Sequence, residues 1–418
     1  MAQNFVGSNN VNLLLPIGQF GTRNQGGKEA ASPRYIFTSL SPVTRALFHE
    51  DDDAVLNYLE EEGQSIEPDF YLPIMPLSLV NGAEGIGTGW STSIPAFNPR
   101  DIVSNLLHLM KSEAYEQMFP WYKGFIGTIE QVSPASRNFI VRGVYRELEE
   151  EGDELEITEL PIGKWTRDYK NFREELATKD EIEEIREYHQ ENRVHFVIKV
   201  PKLQEIKASG LDAIEKKFKL SSSISANNYV LFNHEGKIFR YNSEEDILKE
   251  FFVLRKALYE RRKDYLLARL LKECETLSNK VRFILGVISG EIKVSRVKKR
   301  DIVHNLKRMG FKTQSELNEI LPEKKRTSVQ QLPGDAPEEP EQAKEEEEVL
   351  ASGEISAKEF DYLLTMQIMS LTEERVIELE KQMKDKRAEY EKLKGMHIYE
   401  LWQNDLDVFL NELDKYEA

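Results

Sequence analysis

The sequence predicts a multidomain α+β chain, and three observations lead there. Residues 1–98 are rich in Gly, Asn, Pro and Ser. From about 123 to 243 the apolar pattern alternates as in strands. From Ser243 onward, apolar residues recur at steps of three and four over a span too long for a compact domain. The 418 residues suffice for two to four domains, and 40% hydrophobic against 31% charged residues marks a globular chain.

In the first segment two glycine clusters stand out, Gly18–Gly27 and Gly82–Gly89, which implies unusual backbone conformations or close backbone approach. Between them, Ser41–Phe48 and Ala54–Glu61 read as short helices. In the second segment Gly127–Val132, Asn138–Val144, Glu154–Glu159, His195–Val200 and Tyr229–Phe232 read as strands. Asn233-His234-Glu235-Gly236 reads as a hairpin turn before Lys237–Tyr241. Thr166–Leu176 and Asp180–Asn192 read as helices.

Ser243 and Asp246 form a capping box that opens a helix with apolar residues from Ile247 through Leu258, Leu270 and Val281 to Ile288. At 1.5 Å per residue it would run on the order of 65 Å. Short helices follow at Arg300–Met309 and Gln314–Ile320. The Pro- and Glu-rich stretch 321–353 reads as a disordered insert. A second long helix starts near Thr372, with a seam of Val376, Leu379, Met383, Tyr390 and Leu393, and an amphipathic stretch, Ile398–Leu413, closes the chain. Two long helices around a small helical region predict an antiparallel arm with a knob at its tip.

The net charge of −17 is unevenly placed. Residues 331–350 alone supply −7 of it, whereas residues 1–40 carry Arg23, Lys28 and Arg34 against the single acid Glu29. One cysteine, Cys274, excludes an intrachain disulfide framework and a cysteine zinc site. No secretory signal and no run of 18 apolar residues is present, so a reducing compartment, cytosol or nucleus, is expected.

Several motifs bear on chemistry. A tyrosine hydroxyl can attack phosphorus, and a neighbouring arginine can stabilise the charge that develops, so Arg34-Tyr35 is a candidate pair. On chemistry alone, a packed tyrosine beside a surface arginine is the commoner arrangement. Asp51-Asp52-Asp53 could hold a hard cation or serve as an acidic helix start, and the family resemblance described below favours the second. The histidines form no H-x-x-x-H pair. The glycine clusters lack phosphate-loop spacing, so neither a nucleotide nor a metal site is expected on this chain.

The ordered set of motifs decides between these readings. Ile17-Gly18-Gln19-Phe20-Gly21-Thr22-Arg23, Gly26-Gly27-Lys28-Glu29-Ala30-Ala31 and Arg34-Tyr35-Ile36-Phe37-Thr38 resemble the active-tyrosine region of eukaryotic type IIA DNA topoisomerases. Tyr71-Leu72-Pro73-Ile74-Met75-Pro76 and Val80–Trp90 resemble the next signature of that family. Glu159-Leu160-Pro161 with Trp165-Thr166 resembles its tower, and Tyr362–Met366 with Ser370-Leu371-Thr372 resembles the re-entry into its coiled coil. The resemblance spans the whole chain, in the family's order, and is nearest to the animal nuclear enzymes.

The resemblance implies a partial winged-helix domain (1–98), a β-rich tower (99–242), a first coiled-coil arm (243–287), a helical dimerising gate (288–371) and a return arm (372–418). It implies that Tyr35 becomes a 5′-phosphotyrosyl link and that Arg34 stabilises the transition state. Arg23 and Lys28 fall where the family holds phosphates. Ile86 matches the isoleucine that wedges between base pairs; without the resemblance, a buried isoleucine in a glycine-rich turn is the simpler reading. Lys164, Trp165 and Thr166, and the run Lys219–Asn228, match DNA contacts, and Lys216, Lys219, Ser221, Ser222 and Ser223 suit phosphate oxygens.

Implied partners are double-stranded DNA, a second copy bound through the gate, and a complementing ATPase and metal-binding half or a full-length enzyme. Mg²⁺ and ATP would be held by those other domains, and the setting would be the nucleus, with no membrane. Met1–Val6 matches only the end of the family's recognition helix. Two readings therefore stand: the DNA-breaking part of an enzyme, or a short non-enzymatic relative that dimerises and binds DNA, chromatin or a full-length enzyme.

Overall fold

A computed structural model describes residues 1–134, 136–148, 153–210, 212–294, 297–322, 326–328, 357–366 and 372–417. The chain forms two compact units, Met1–Phe48 with Pro73–Arg255 and Gln403–Ala418, and His49–Leu72 with Lys256–Trp402.

In the first unit the glycine-rich segment holds little regular structure beyond a 3₁₀ turn, Pro33–Tyr35, and a single helical turn, Thr44–Leu47. Asn10 ties this segment down. Its buried amide donates to the carbonyls of Val80 (2.9 Å), Phe97 (3.1 Å) and Trp121 (3.0 Å). A helix follows at Pro99–Lys111, opened by Asn98, whose side chain accepts from the Arg100 N–H, and by a proline in the first turn.

Two antiparallel sheets make up the β-rich part. One runs Ser221–Ser225, Asn138–Arg142, Thr128–Gln131; the other runs Val144–Leu148, Glu154–Glu159, Phe196–Lys199, Glu184–Glu187. The second sheet buries Leu155, Ile157, Phe196 and Ile198 against Tyr169 and Leu176 of the helix Thr166–Ala177. Phe196 is fully buried, so cutting it to alanine would cost about 3–5 kcal/mol.

Glu184–Glu187 corrects the expected helix at 180–192. The segment is charged enough to suit a solvated helix, but its backbone pairs instead along Phe196–Lys199 as the sheet's outer strand. The hairpin Tyr229–Phe232/Ile238–Tyr241 turns as expected. Asn233 Oδ1 accepts from the Glu235 and Lys237 N–H groups, and Gly236 takes a positive φ of 73°.

In the second unit the expected helix at Ala54–Glu61 is also corrected. Tyr58–Glu61 is a strand that turns through Glu62 and Gly63, both at positive φ, into Gln64–Pro68. That two-residue turn matches the twist of a hairpin, so local pairing overrides helical propensity. Arg326–Ser328 adds a parallel strand to Tyr58–Glu61, which gives structure to part of the stretch expected to be disordered. Residues 323–325 and 329–353 of that stretch lie outside the described residues.

The helix Glu244–Ile288 begins as expected, with Ser243 Oγ accepting from the Asp246 N–H at 3.1 Å. Within the second unit it pairs antiparallel with Glu373–Gly395. Val281 and Ile284 pack on Val376 and Leu379, Glu273 faces Lys386 at 3.3 Å, and Lys263 donates to the carbonyls of Lys394 and Met396. Near its end, Phe283 joins Ile292, Ile302, Leu306, Phe311, Phe360 and Leu363 in a small helical core. No helix among the described residues is long and apolar enough to cross a membrane.

Candidate active site and nucleic-acid interface

Tyr35 closes the 3₁₀ turn Pro33–Tyr35. Its N–H donates to the Ser32 carbonyl at 2.9 Å, and Pro33 presets the turn. The side chain is 72% exposed, and the Arg34 guanidinium lies 5.4 Å from its ring centroid. The turn therefore leaves the phenol largely exposed, with a cation beside its ring. This rules out the packed-tyrosine alternative.

The loop before it is fastened in two ways. Internally, Glu29 accepts from the Thr22 N–H at 2.8 Å and from the Thr22 hydroxyl. Burial opposes the Glu29 carboxylate, yet these bonds and those from nearby backbone N–H groups hold its pKa below the usual value. Externally, the Arg23 guanidinium pairs with Glu159, and the Asn24 carbonyl accepts from the Arg167 N–H at 2.9 Å. Gly26, at φ +64°, lies flat on the indole of Trp165, where any Cβ would collide. Lys28 comes within 3.7 Å of Asp168.

Two expected DNA contacts are thereby corrected. Arg23 is 4% exposed and Thr166 only 1%, so neither side chain is on the surface. Arg23 is consumed by Glu159, whose carboxylate also takes the N–H groups of Leu160 (2.8 Å) and Ile126 (3.4 Å). Trp165 is half-buried, edge-on to Phe5 at 5.7 Å and stacked over Gly7 and Gly26. It serves as a clamp on the tyrosine loop, a role that spacing alone could not show.

Ile86 occupies the tip of the hairpin Ala83–Ile86/Ser91–Ile94 and is 95% exposed, which excludes the buried-isoleucine reading. Gly85 and Gly89 have open space around them, so backbone on this tip is accessible. The hairpin is anchored by Asn228. Its amide nitrogen donates to the Ser91 carbonyl at 3.0 Å and hydroxyl at 2.8 Å, while its carbonyl accepts from the Ser93 N–H at 2.8 Å.

The serine run lies on the strand Ser221–Ser225, with Ser223 exposed and Ser221 and Ser222 partly so. Lys219 sits at positive φ with its ammonium 3.9 Å from the Phe172 centroid. Lys216 is exposed, at the limit of pairing with Asp212, and Lys164 is exposed. Tyr35, Lys28, Ile86, Lys164, Lys216, Lys219 and the serines all belong to the first unit. Asp51 and Asp52 belong to the second and are engaged by Arg262 and Arg269, which replaces any cation reading. Among the described residues no group of three or more His, Cys, Asp or Glu could hold a metal.

With this geometry in hand, the comparisons with known proteins are specific. A DNA topoisomerase 2 of Pisum sativum is 46% identical over 98% of this chain, and a DNA topoisomerase 2-alpha of Cricetulus griseus is 43% identical over all of it. Identity thus does not single out the animal enzymes. The chain spans only 28% and 27% of those relatives. The crystal structure of the Plasmodium falciparum topoisomerase II DNA-binding, cleavage and re-ligation domain superposes with a TM-score of 0.85 at 41% identity, covering 99% of this chain and 54% of that one. The family of A-type subunits of DNA gyrase/topoisomerase IV matches residues 1–407, and the chain belongs to that family.

Proposed function

We propose that this chain is the DNA-breaking and rejoining portion of a type II DNA topoisomerase. The observation that carries the reading is the exposed Tyr35 on a proline-set turn, with the Arg34 guanidinium beside its ring. The Tyr35 oxygen attacks a phosphodiester phosphorus and loses its proton. The bond to the 3′ oxygen breaks, leaving a 3′ hydroxyl and a 5′-phosphotyrosyl link. Attack by that hydroxyl reverses the step and releases the tyrosine. Arg34 stabilises charge on the phosphoryl oxygens, where one well-placed donor contributes about 3–4 kcal/mol.

Double-stranded DNA is the partner, bent at Ile86 and held through Lys28, Lys164, Lys216, Lys219 and the serines Ser221, Ser222 and Ser223. A second copy joins through the helical region within 288–371, so that each strand meets one tyrosine. The five segments inferred from sequence serve as partial winged-helix domain, tower, arm, gate and return arm. Mg²⁺ and ATP are supplied by a complementing half of the enzyme. The described residues of this chain offer no fitting metal cluster, so no step is routed through the ion. The setting is the nucleus, in control of DNA topology and chromosome segregation.

The test mixes the chain with an ATPase-plus-metal half, Mg²⁺ and labelled duplex, and measures covalent protein–DNA adducts. Tyr35→Phe should abolish adducts while leaving DNA affinity near normal, and Arg34→Ala should slow their formation about 100- to 1,000-fold. Adducts that persist in Tyr35→Phe would place the link on another residue.

A further inference from the structure

We propose that Arg240 is a further DNA-phosphate ligand, on a sheet face shared with Ile86; the proposal rests on the reading of Ile86 as a DNA wedge. Two hairpins join edge to edge, and their register can be followed across all four strands. Ile86 stands opposite Ser91. Ser93 forms an antiparallel bridge with Asn228, which sets Ser91 opposite Val230 when the register is carried two residues along. Val230 stands opposite Arg240.

Directly opposed residues share a face, so Ile86, Ser91, Val230 and Arg240 form one row across the composite sheet. Burial agrees with this parity. Ile94, Tyr229 and Tyr241 fall on the other face and are 4%, 0% and 7% exposed, whereas Ile86 and Arg240 are exposed.

Three strand spacings of ~4.8 Å separate the ends of the row by ~14 Å. With 3.4 Å per base step, that distance corresponds to about four base pairs from the wedged step. A duplex seated on Ile86 therefore brings its backbone within reach of Arg240. The guanidinium donates to the Asn227 carbonyl at 3.3 Å and pairs with no carboxylate among the described residues. Lys237 on the same hairpin is instead held by Glu235 at 2.7 Å. A planar guanidinium in this position suits bidentate capture of phosphate oxygens. Glu84, in the neighbouring row, is a carboxylate on this face. Phe232 and Ile238 also share it and are exposed.

The experiment measures affinity of the full chain for a 30-base-pair duplex against salt concentration, and bend angle by fluorescence transfer. Arg240→Ala should lower the slope of log affinity against log salt by about 0.9, one phosphate contact, with the bend retained. Arg240→Lys should restore the slope and Arg240→Gln should not. Ile86→Ala should reduce the bend and keep the slope. An unchanged slope in Arg240→Ala, with the bend lost in Ile86→Ala, overturns the Arg240 assignment alone and leaves the wedge standing. A bend that survives Ile86→Ala overturns the wedge and the shared-face proposal with it.

Discussion

Removing Arg23 separates a structural from a DNA-contacting role. Both members of the Arg23–Glu159 pair are buried, with side chains 5% and 2% exposed. Deleting one partner of a buried ion pair costs about 3–5 kcal/mol, because the other charge stays behind unpaired. The two deletions should differ. Arg23→Ala leaves Glu159 with two backbone donors, Leu160 and Ile126, whereas Glu159→Ala leaves Arg23, among the described residues, with the Leu160 carbonyl at 3.5 Å. Glu159→Ala should therefore be the more damaging. At about 2–4 °C per kcal/mol, either change should lower the melting temperature by roughly 6–20 °C.

The double variant Arg23→Met/Glu159→Leu should recover most of that loss, since well-packed apolar replacements of a buried pair are near neutral or stabilising. The assay is thermal melting of all four proteins, with DNA affinity against salt measured below the transition. A structural Arg23 predicts a strong coupling between the two sites and an unchanged salt slope. A slope lower by about 0.9 in Arg23→Ala, with no change in melting, would refute the structural assignment and return Arg23 to the phosphates.

Ile86→Ala should reduce the DNA bend without lowering the melting temperature, because the side chain is 95% exposed and leaves no cavity; a large melting loss would refute the exposed-wedge geometry. Glu29 contributes stability to the tyrosine loop above its unfolded pKa of about 4.5, and that contribution is lost as pH falls through its depressed folded value. Amide exchange of residues 18–29 should accelerate in that acid range, and Glu29→Gln should remove the dependence. Deleting 289–371 while keeping the arm helices should give monomers in sedimentation; a surviving dimer would place the interface elsewhere.

Sequence periodicity revealed the elements whose stability is local or repetitive. The Ser243 cap, the arm helix and the strands Glu154–Glu159 and Phe196–Lys199 all carry their signal within a few residues. It misled where a pairing strand or a turn just beyond the segment decides the outcome. Asp180–Asn192 looks helical until its pairing with Phe196–Lys199 is known, and Ala54–Glu61 until the positive φ values of Glu62 and Gly63 are seen. The helix Glu244–Ile288 also hides charged residues. Arg255 and Arg262 are 0% and 3% exposed, and Arg262 reaches Asp51 and Asp52, some 210 residues earlier. A charge in a helical pattern reads as solvated unless its counterion is already known.

The same long-range logic governs the active tyrosine. Arg34-Tyr35 was legible only through an ordered motif set, because nothing in a dipeptide specifies exposure. What holds the preceding loop is contributed from residues 159–168. Glu159 binds Arg23, the Arg167 N–H binds Asn24, Asp168 approaches Lys28, and Trp165 covers Gly7 and Gly26. Gly26 is required here for two reasons at once: its φ is +64°, and the indole occupies the space a side chain would need. Trp165 thus has a packing role that the motif alone does not reveal, and Thr166 is buried at the start of its helix. Trp165 covers the loop that precedes Tyr35, and a largely exposed phenol on a 3₁₀ turn depends on such a platform for its aim.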